Sequence, residues 1–154
     1  MSPHRIVIFT LLFSTFCISS YSQKIIAATF NLRYQNTTDS GNLWTQRAPQ
    51  VAALIRFHGF DIFGTQEGMR TQLNDIKTSL PEYEFYGVGR DDGKEAGEHS
   101  AVFYRKDRFS VLKSGDFWLS ETPDQPSKGW DAVCCNRICS WLYLTDKKTG
   151  KNFY

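Results

Sequence analysis

Two short apolar runs, each followed by a segment with helical periodicity, constrain this chain more than anything else in it. Lys24 to Phe30 (KIIAATF) is compact and apolar, like a buried strand. Arg47 to Phe57 then carries Val51, Leu54 and Ile55 on one helical face. Pro49 is expected in the first turn of that helix, where its missing N–H removes no hydrogen bond. Asp61 to Thr65 (DIFGT) reads as a second buried strand. Met69, Leu73, Ile76 and Leu80 recur every three or four residues, the mark of an amphipathic helix, and Pro81 stops it. Strand, helix, strand, helix implies right-handed crossovers and a partly parallel sheet covered by helices. The expected fold class is α/β.

The second half changes character. Glu84 to Gly89, Ser100 to Tyr104, Phe109 to Leu119 and Arg137 to Thr145 all read as strands. Between them lie a polar, glycine-bearing loop at Arg90 to Gly97 and a proline-rich loop at Glu121 to Trp130. Asp146 to Lys151 (DKKTGK) reads as a hairpin turn, and Asn152 to Tyr154 as the start of a returning strand. No internal repeat or low-complexity segment is present.

Composition narrows the function classes. Hydrophobic residues make up 41% and charged residues 22%, a globular balance rather than a disordered one. The formal net charge of +2 argues against coating nucleic acid by bulk electrostatics, though not against binding a single phosphate. His4 and Arg5, the apolar run Ile6 to Ile18 and the small residues Ser20 and Ser22 predict a signal peptide over residues 1–22, with the mature protein starting at Gln23. The run is shorter than the ~20 residues needed to span a bilayer. An uncleaved anchor and a lipid attachment at Cys17 are the alternatives; bulky Phe16 weighs against the second. The expected location is periplasmic or extracellular, with no membrane span after cleavage. Cys134, Cys135 and Cys139 remain in an oxidising compartment; their spacing matches no zinc pattern, and one local bridge or none is expected.

Asn31 and Glu67 carry the chemical signal. Each follows an inferred strand at its carboxyl end, in TFNLRY and GTQEG. Parallel neighbours place the two side by side at the edge where open α/β sheets bind ligands. A carboxylate and an amide there suit one hard divalent cation that keeps several waters. Each residue also has an ordinary reading: Asn31 as a loop cap, Glu67 as a cap for the helix near Met69.

TFNLR, DIFGTQE, GVGRDDGKEAGEHSAVFYR, FWLSETPD and KGWDAVCCNRICSW, in that order and spacing, resemble the endonuclease/exonuclease/phosphatase family. The likeness covers essentially all of residues 24–154 and is nearest the secreted bacterial branch. It implies a four-layer α/β sandwich, two mixed sheets packed face to face with helices outside. It also implies metal-dependent phosphoesterase chemistry: Mg2+-assisted hydrolysis of a phosphodiester or phosphomonoester by in-line water, with Mn2+ as an alternative cofactor. By the same resemblance Glu67 is the metal-binding glutamate and Asn31 lies against the metal and phosphate. Glu98 orients a catalytic histidine, and Arg137 reaches the phosphate. Arg33 takes the place of an aspartate found in the abasic-site branch and of an arginine found in the deoxyribonuclease I branch; as a substrate-binding candidate it leans towards the second.

The sandwich is expected to be incomplete. A full domain of this kind is nearer the roughly 200–250 residues that large single domains reach, and residues 23–154 correspond to its N-terminal part. The family's catalytic histidine and its later aspartate and asparagine belong to strands beyond Tyr154. His58, at a helix end, and His99, facing away from Glu98 in the strand pattern, do not replace it. The chain alone is therefore expected to be inactive, and the full-length parent a monomeric hydrolase of a phosphate ester that forms no stable nucleic-acid complex. A non-catalytic exported binding module and an inert gene fragment are the alternative readings. Trp44 and Arg47 read as packing rather than as a cleft lip, Trp130 and Asp131 as a loop near the site, and Asp91 and Asp92 as a solvated turn with Gly93.

Overall fold

The computed structural model describes residues 24–154, so the signal peptide expected over residues 1–22 lies outside the described residues. Strand β1 (Ala27–Asn31) leads through helix α1 (Trp44–His58) to β2 (Ile62–Gln66), and helix α2 (Arg70–Ser79) leads on to β3 (Tyr83–Tyr86) and β4 (Val102–Arg105). These strands form one mixed sheet in the order β1-β2-β4-β3, with β1 and β2 parallel and the other pairs antiparallel. Strands β5 (Phe109–Trp118), β6 (Ile138–Asp146) and β7 (Asn152–Phe153) form a second, antiparallel sheet. Every element expected from the sequence is present, in the expected order, but β1, expected to be buried, is a half-exposed strand at the edge of its sheet.

Apolar side chains explain the layering. Val51, Ala52 and Ile55 of α1 and Leu73 and Ile76 of α2 pack with Phe63 of β2 and Phe103 of β4 in one core, where the two phenyl rings stack at 4.7 Å. Phe109, Leu142 and Leu144 of the second sheet form another core against Ile62, Tyr86, Val102 and Tyr104 of the first. Alternation along the strands sends one set of side chains to the helices and the other to the facing sheet. The described residues thus form three layers of the α/β sandwich: helices, mixed sheet, antiparallel sheet.

Helix α1 starts three residues before the expected Arg47, whereas α2 starts beside Met69 as expected. Each begins behind an apolar residue, and a glutamine reaches back to it: Leu43 N–H donates to Gln46 Oε1 at 3.1 Å, and Met69 N–H donates to Gln72 Oε1 at 2.9 Å. Because α1 starts at Trp44, Pro49 lies inside the helix rather than in its first turn. Pro49 and Thr45 are both exposed, so water can take the carbonyl that the proline leaves unpaired.

Arg108 ties the two sheets together at one end. Its guanidinium lies 2.6 Å from Asp61 Oδ2 and 3.4 Å from Asp146 Oδ2, with all three side chains largely buried. Asp61 also accepts the Ile26 N–H at 2.8 Å. Among the described residues, no helix is long and apolar enough to cross a membrane. Cys134 and Cys135 are disulfide-bonded to each other and Cys139 is free, which is the single local bridge left open by the sequence.

Candidate active site

Parallel pairing of β1 with β2 places Asn31 beside Gln66, and Glu67 follows immediately. Asn31 Nδ2 donates to Glu67 Oε1 at 2.9 Å, and the Tyr34 N–H donates to Glu67 Oε2 at 3.0 Å. Asn31 Oδ1 in turn accepts the Arg33 N–H at 2.7 Å. This closed set fixes the amide orientation, since a flipped Asn31 would set oxygen against oxygen. Asn31 Nδ2, chiefly, and then the Tyr34 N–H hold the Glu67 carboxyl below the ordinary carboxylate range. Glu67 is therefore an anion at neutral pH.

Both turns that build this corner are unusual. Arg33 and Glu67 are the non-glycine residues with positive φ among the described residues, at 59° and 57°. A bulky residue in that region costs about 1–3 kcal/mol and persists where its surroundings hold it.

The opposite wall comes from the loop before β4 and from the start of β6. Arg90 Nη1 lies 2.8 Å from Glu98 Oε2. The Arg90 carbonyl accepts the Trp118 indole N–H at 2.7 Å and Asn136 Nδ2 at 3.1 Å. Asn31, Glu67, Arg90, Glu98, Asn136 and Arg137 together line a cavity of about 270 Å3 at the carboxyl end of β1 and β2. A larger hollow of about 760 Å3, lined by Ile25, Asp146 and residues of the β6–β7 turn, sits at the other end of the strands, away from these groups.

The sequence candidates Asn31, Glu67, Glu98 and Arg137 are thus brought together. Arg33 is not among the lining residues: its side chain pairs with Asp39 at 2.8 Å, and its contribution to the corner is its backbone N–H. His99 has a fully buried side chain, with Nδ1 3.1 Å from the Gly97 carbonyl, and His58 stacks on Phe60 at the end of α1. Trp44 is buried with its indole N–H 2.7 Å from Asp75 Oδ2, as packing requires. Trp130 is exposed, donates to Glu121 and does not line the cavity. Asp92 Oδ1 accepts the N–H groups of Lys94 and Ala96, a turn and not a metal cluster. Arg90 was not singled out by the sequence; the signal was an arginine and a glutamate at the two ends of one polar loop.

The donor set at Glu67 fits one Mg2+. No cationic side chain forms an ion pair with Glu67 among the described residues, so each carboxylate oxygen keeps a lone pair free beside its single N–H partner. A single anionic ligand is enough for an ion that retains most of its waters. Among the described residues no group of three or more His, Cys, Asp or Glu side chains converges on a metal position.

An endonuclease/exonuclease/phosphatase family protein from Bacteroides thetaiotaomicron superimposes with a TM-score of 0.82 at 56% identity, over 84% of this chain and 47% of that one. This is the endonuclease/exonuclease/phosphatase fold. A second structure with that fold, a mannosyl-6-phosphatase from the same organism, matches at 56% identity and a TM-score of 0.82, over 84% of this chain and 49% of its own. An uncharacterized protein of Acanthamoeba polyphaga mimivirus is 31% identical over 94 residues, 54% of this chain and 14% of that protein. No family model matches the chain. The chain spans about half the length of the endonuclease/exonuclease/phosphatase structures it matches.

Proposed function

We propose that this chain carries the Glu67 half of the active site of an exported, metal-dependent phosphoesterase, and that the substrate is a small phosphomonoester of the sugar-phosphate class. The observation that carries the reading is the placement of an anionic Glu67, locked by Asn31 and the Tyr34 N–H, in one small cavity with Arg137 and Arg90. The substrate class is supported by the likeness to the mannosyl-6-phosphatase. It is supported as well by a near-neutral charge, where duplex binding calls for a basic face.

Glu67 would hold Mg2+, which when bound neutralises charge building on the phosphoryl oxygens and the leaving group. Arg137 is exposed at the cavity and offers a planar fork of N–H donors to the same oxygens. Glu98, anchored by Arg90, would orient the proton-transfer group rather than act as nucleophile. In the overall reaction a water oxygen bonds to phosphorus, the phosphorus–oxygen ester bond breaks, and the water proton passes to the leaving alcohol. His58 is stacked on Phe60 at the end of α1, and the His99 side chain, which backs the cavity, is fully buried, so residues 23–154 alone are expected to be inactive.

The test is release of inorganic phosphate by the full-length protein from hexose 6-phosphates, set beside phosphodiesters and plasmid DNA. Metal-dependent monoester hydrolysis, abolished by chelation, is expected. Efficient plasmid cleavage, or turnover indifferent to a chelator, would overturn the reading.

A further inference from the structure

Arg47 makes no ion pair with an acidic side chain among the described residues; its guanidinium is spent on backbone carbonyls. Nη1 donates to the Leu32 carbonyl at 2.6 Å, Nη2 to the Arg33 carbonyl at 3.3 Å and Nε to the Asn42 carbonyl at 2.8 Å. Gln72 Nε2 adds a second donor to the Arg33 carbonyl at 3.1 Å. Arg47 is itself seated over the Trp44 ring, 5.3 Å from its centroid, and that ring is tethered through its indole N–H to Asp75.

Two of those carbonyls belong to peptide groups whose N–H face Asn31 and Glu67. In a trans peptide the C=O and N–H point in opposite directions. The group joining Leu32 to Arg33 gives its oxygen to Arg47 and its N–H to Asn31 Oδ1. The next group, joining Arg33 to Tyr34, gives its oxygen to Arg47 and Gln72 and its N–H to Glu67 Oε2. The left-handed φ of 59° at Arg33, between them, is what turns both N–H groups into the site. A cation on the oxygen side polarises each peptide and strengthens its N–H as a donor, by roughly 10–30% per linked bond.

We infer that Arg47 is the positioning residue of this site, acting on Asn31 and Glu67 through two successive peptide groups. This rests on the reading of Glu67 as a metal ligand. Arg47 lies on the first turn of α1, on the far side of those peptides from Glu67, and has no need to touch metal or substrate. It sets where the carboxylate points and holds open a backbone conformation that the chain would otherwise leave.

The experiment compares Arg47→Lys and Arg47→Ala with the wild-type full-length protein and with Glu67→Gln, using Mn2+ alone as the probe in calorimetry. Backbone amide shifts and hydrogen exchange of Arg33 and Tyr34 are followed by NMR. Arg47→Lys keeps the charge but not the fork, and is expected to retain the fold, judged by the Trp44 indole signal. Its Arg33 and Tyr34 amides should move upfield and exchange faster, and Mn2+ binding should weaken about tenfold, the lower range for residues that support a metal ligand. Turnover should return at high metal concentration, which a merely structural loss would not allow. Unchanged amides together with unchanged Mn2+ affinity in Arg47→Lys overturn the inference, even if Arg47→Ala fails to fold. Absence of Mn2+ binding in the wild type instead sinks the metal reading, and the two amides then decide the peptide linkage alone.

Discussion

Arg90 and Glu98 stand at the two ends of one polar loop and meet at 2.8 Å, joining by a side-chain ion pair what the Arg90 N–H and Glu98 carbonyl already join at 3.0 Å. Between them Asp92 folds back on Lys94 and Ala96, and Glu95 reaches out to Arg70 of α2 at 3.6 Å. Both side chains are mostly shielded from water, so the pair is worth more than a surface contact. Arg90→Gln is expected to cost about 2 kcal/mol of stability, in the range for a hydrogen bond to a charged group. It should also lower kcat/KM of the full-length protein, because Glu98 loses the partner that orients it. Urea unfolding beside initial-rate kinetics checks both; an unaltered kcat/KM would remove Glu98 from the site.

Glu67→Gln separates chemistry from fold. The amide keeps the shape and the left-handed backbone at 57°, and sets its NH2 against one of the two donors, Asn31 Nδ2 or the Tyr34 N–H, at a cost of about 1 kcal/mol. Thermal unfolding should stay close to wild type, while metal-dependent turnover falls by at least about a hundredfold, as loss of charge stabilisation at the reacting oxygens does elsewhere. Circular dichroism and a phosphate-release assay measure the two.

Asn31→Ala should change the pH dependence of metal binding. The Asn31 amide is the chief cause of the lowered Glu67 pKa, so removing it lets that pKa rise toward the ordinary carboxylate range. A raised carboxyl pKa means more protonated, metal-incompetent Glu67 at low pH and little difference at pH above about 6. Mn2+ titrations near pH 4.5 and near pH 7.5 should show the variant weakened more at the lower value. Equal weakening at both would assign Asn31 a purely steric role.

Arg108 governs the other end of the molecule. Arg108→Met leaves Asp61 and Asp146 buried without their cation and is expected to cost about 3–5 kcal/mol. Burial opposes ionisation of Asp146, but the Lys148 N–H and then Arg108 outweigh it, and its carboxyl sits below the usual range. A carboxyl with a depressed folded-state pKa contributes stability that is complete above its unfolded value near 3.9 and lost as pH falls through the folded value. Acid unfolding of the wild type below about pH 4 should therefore flatten in Asp146→Asn, when ΔG of unfolding is followed against pH.

Much of this was legible in the sequence, and the remainder has identifiable causes. The apolar runs before Asn31 and Glu67 fix both strand ends, although β1 lies half-exposed at the sheet edge and not buried, so the meeting of those two residues follows from the parallel pairing of β1 and β2. The start of α1 was missed because Leu43 offers no oxygen of its own; the cap comes from Gln46, three residues on. Arg90 was missed because its partner is set by how a loop folds, not by a period. The work of Arg47 leaves no residue-type signature at all, since backbone carbonyls exist at every position. Arg33 looked like a ligand by side chain and enters the site by its N–H instead.

The cavity has one wall on each sheet: Asn31 and Glu67 belong to the first, Asn136 and Arg137 to the second, and between the sheets lies the layer of Phe109, Leu142 and Leu144. That layer is a spacer: the separation of the two walls depends on side chains that line neither of them.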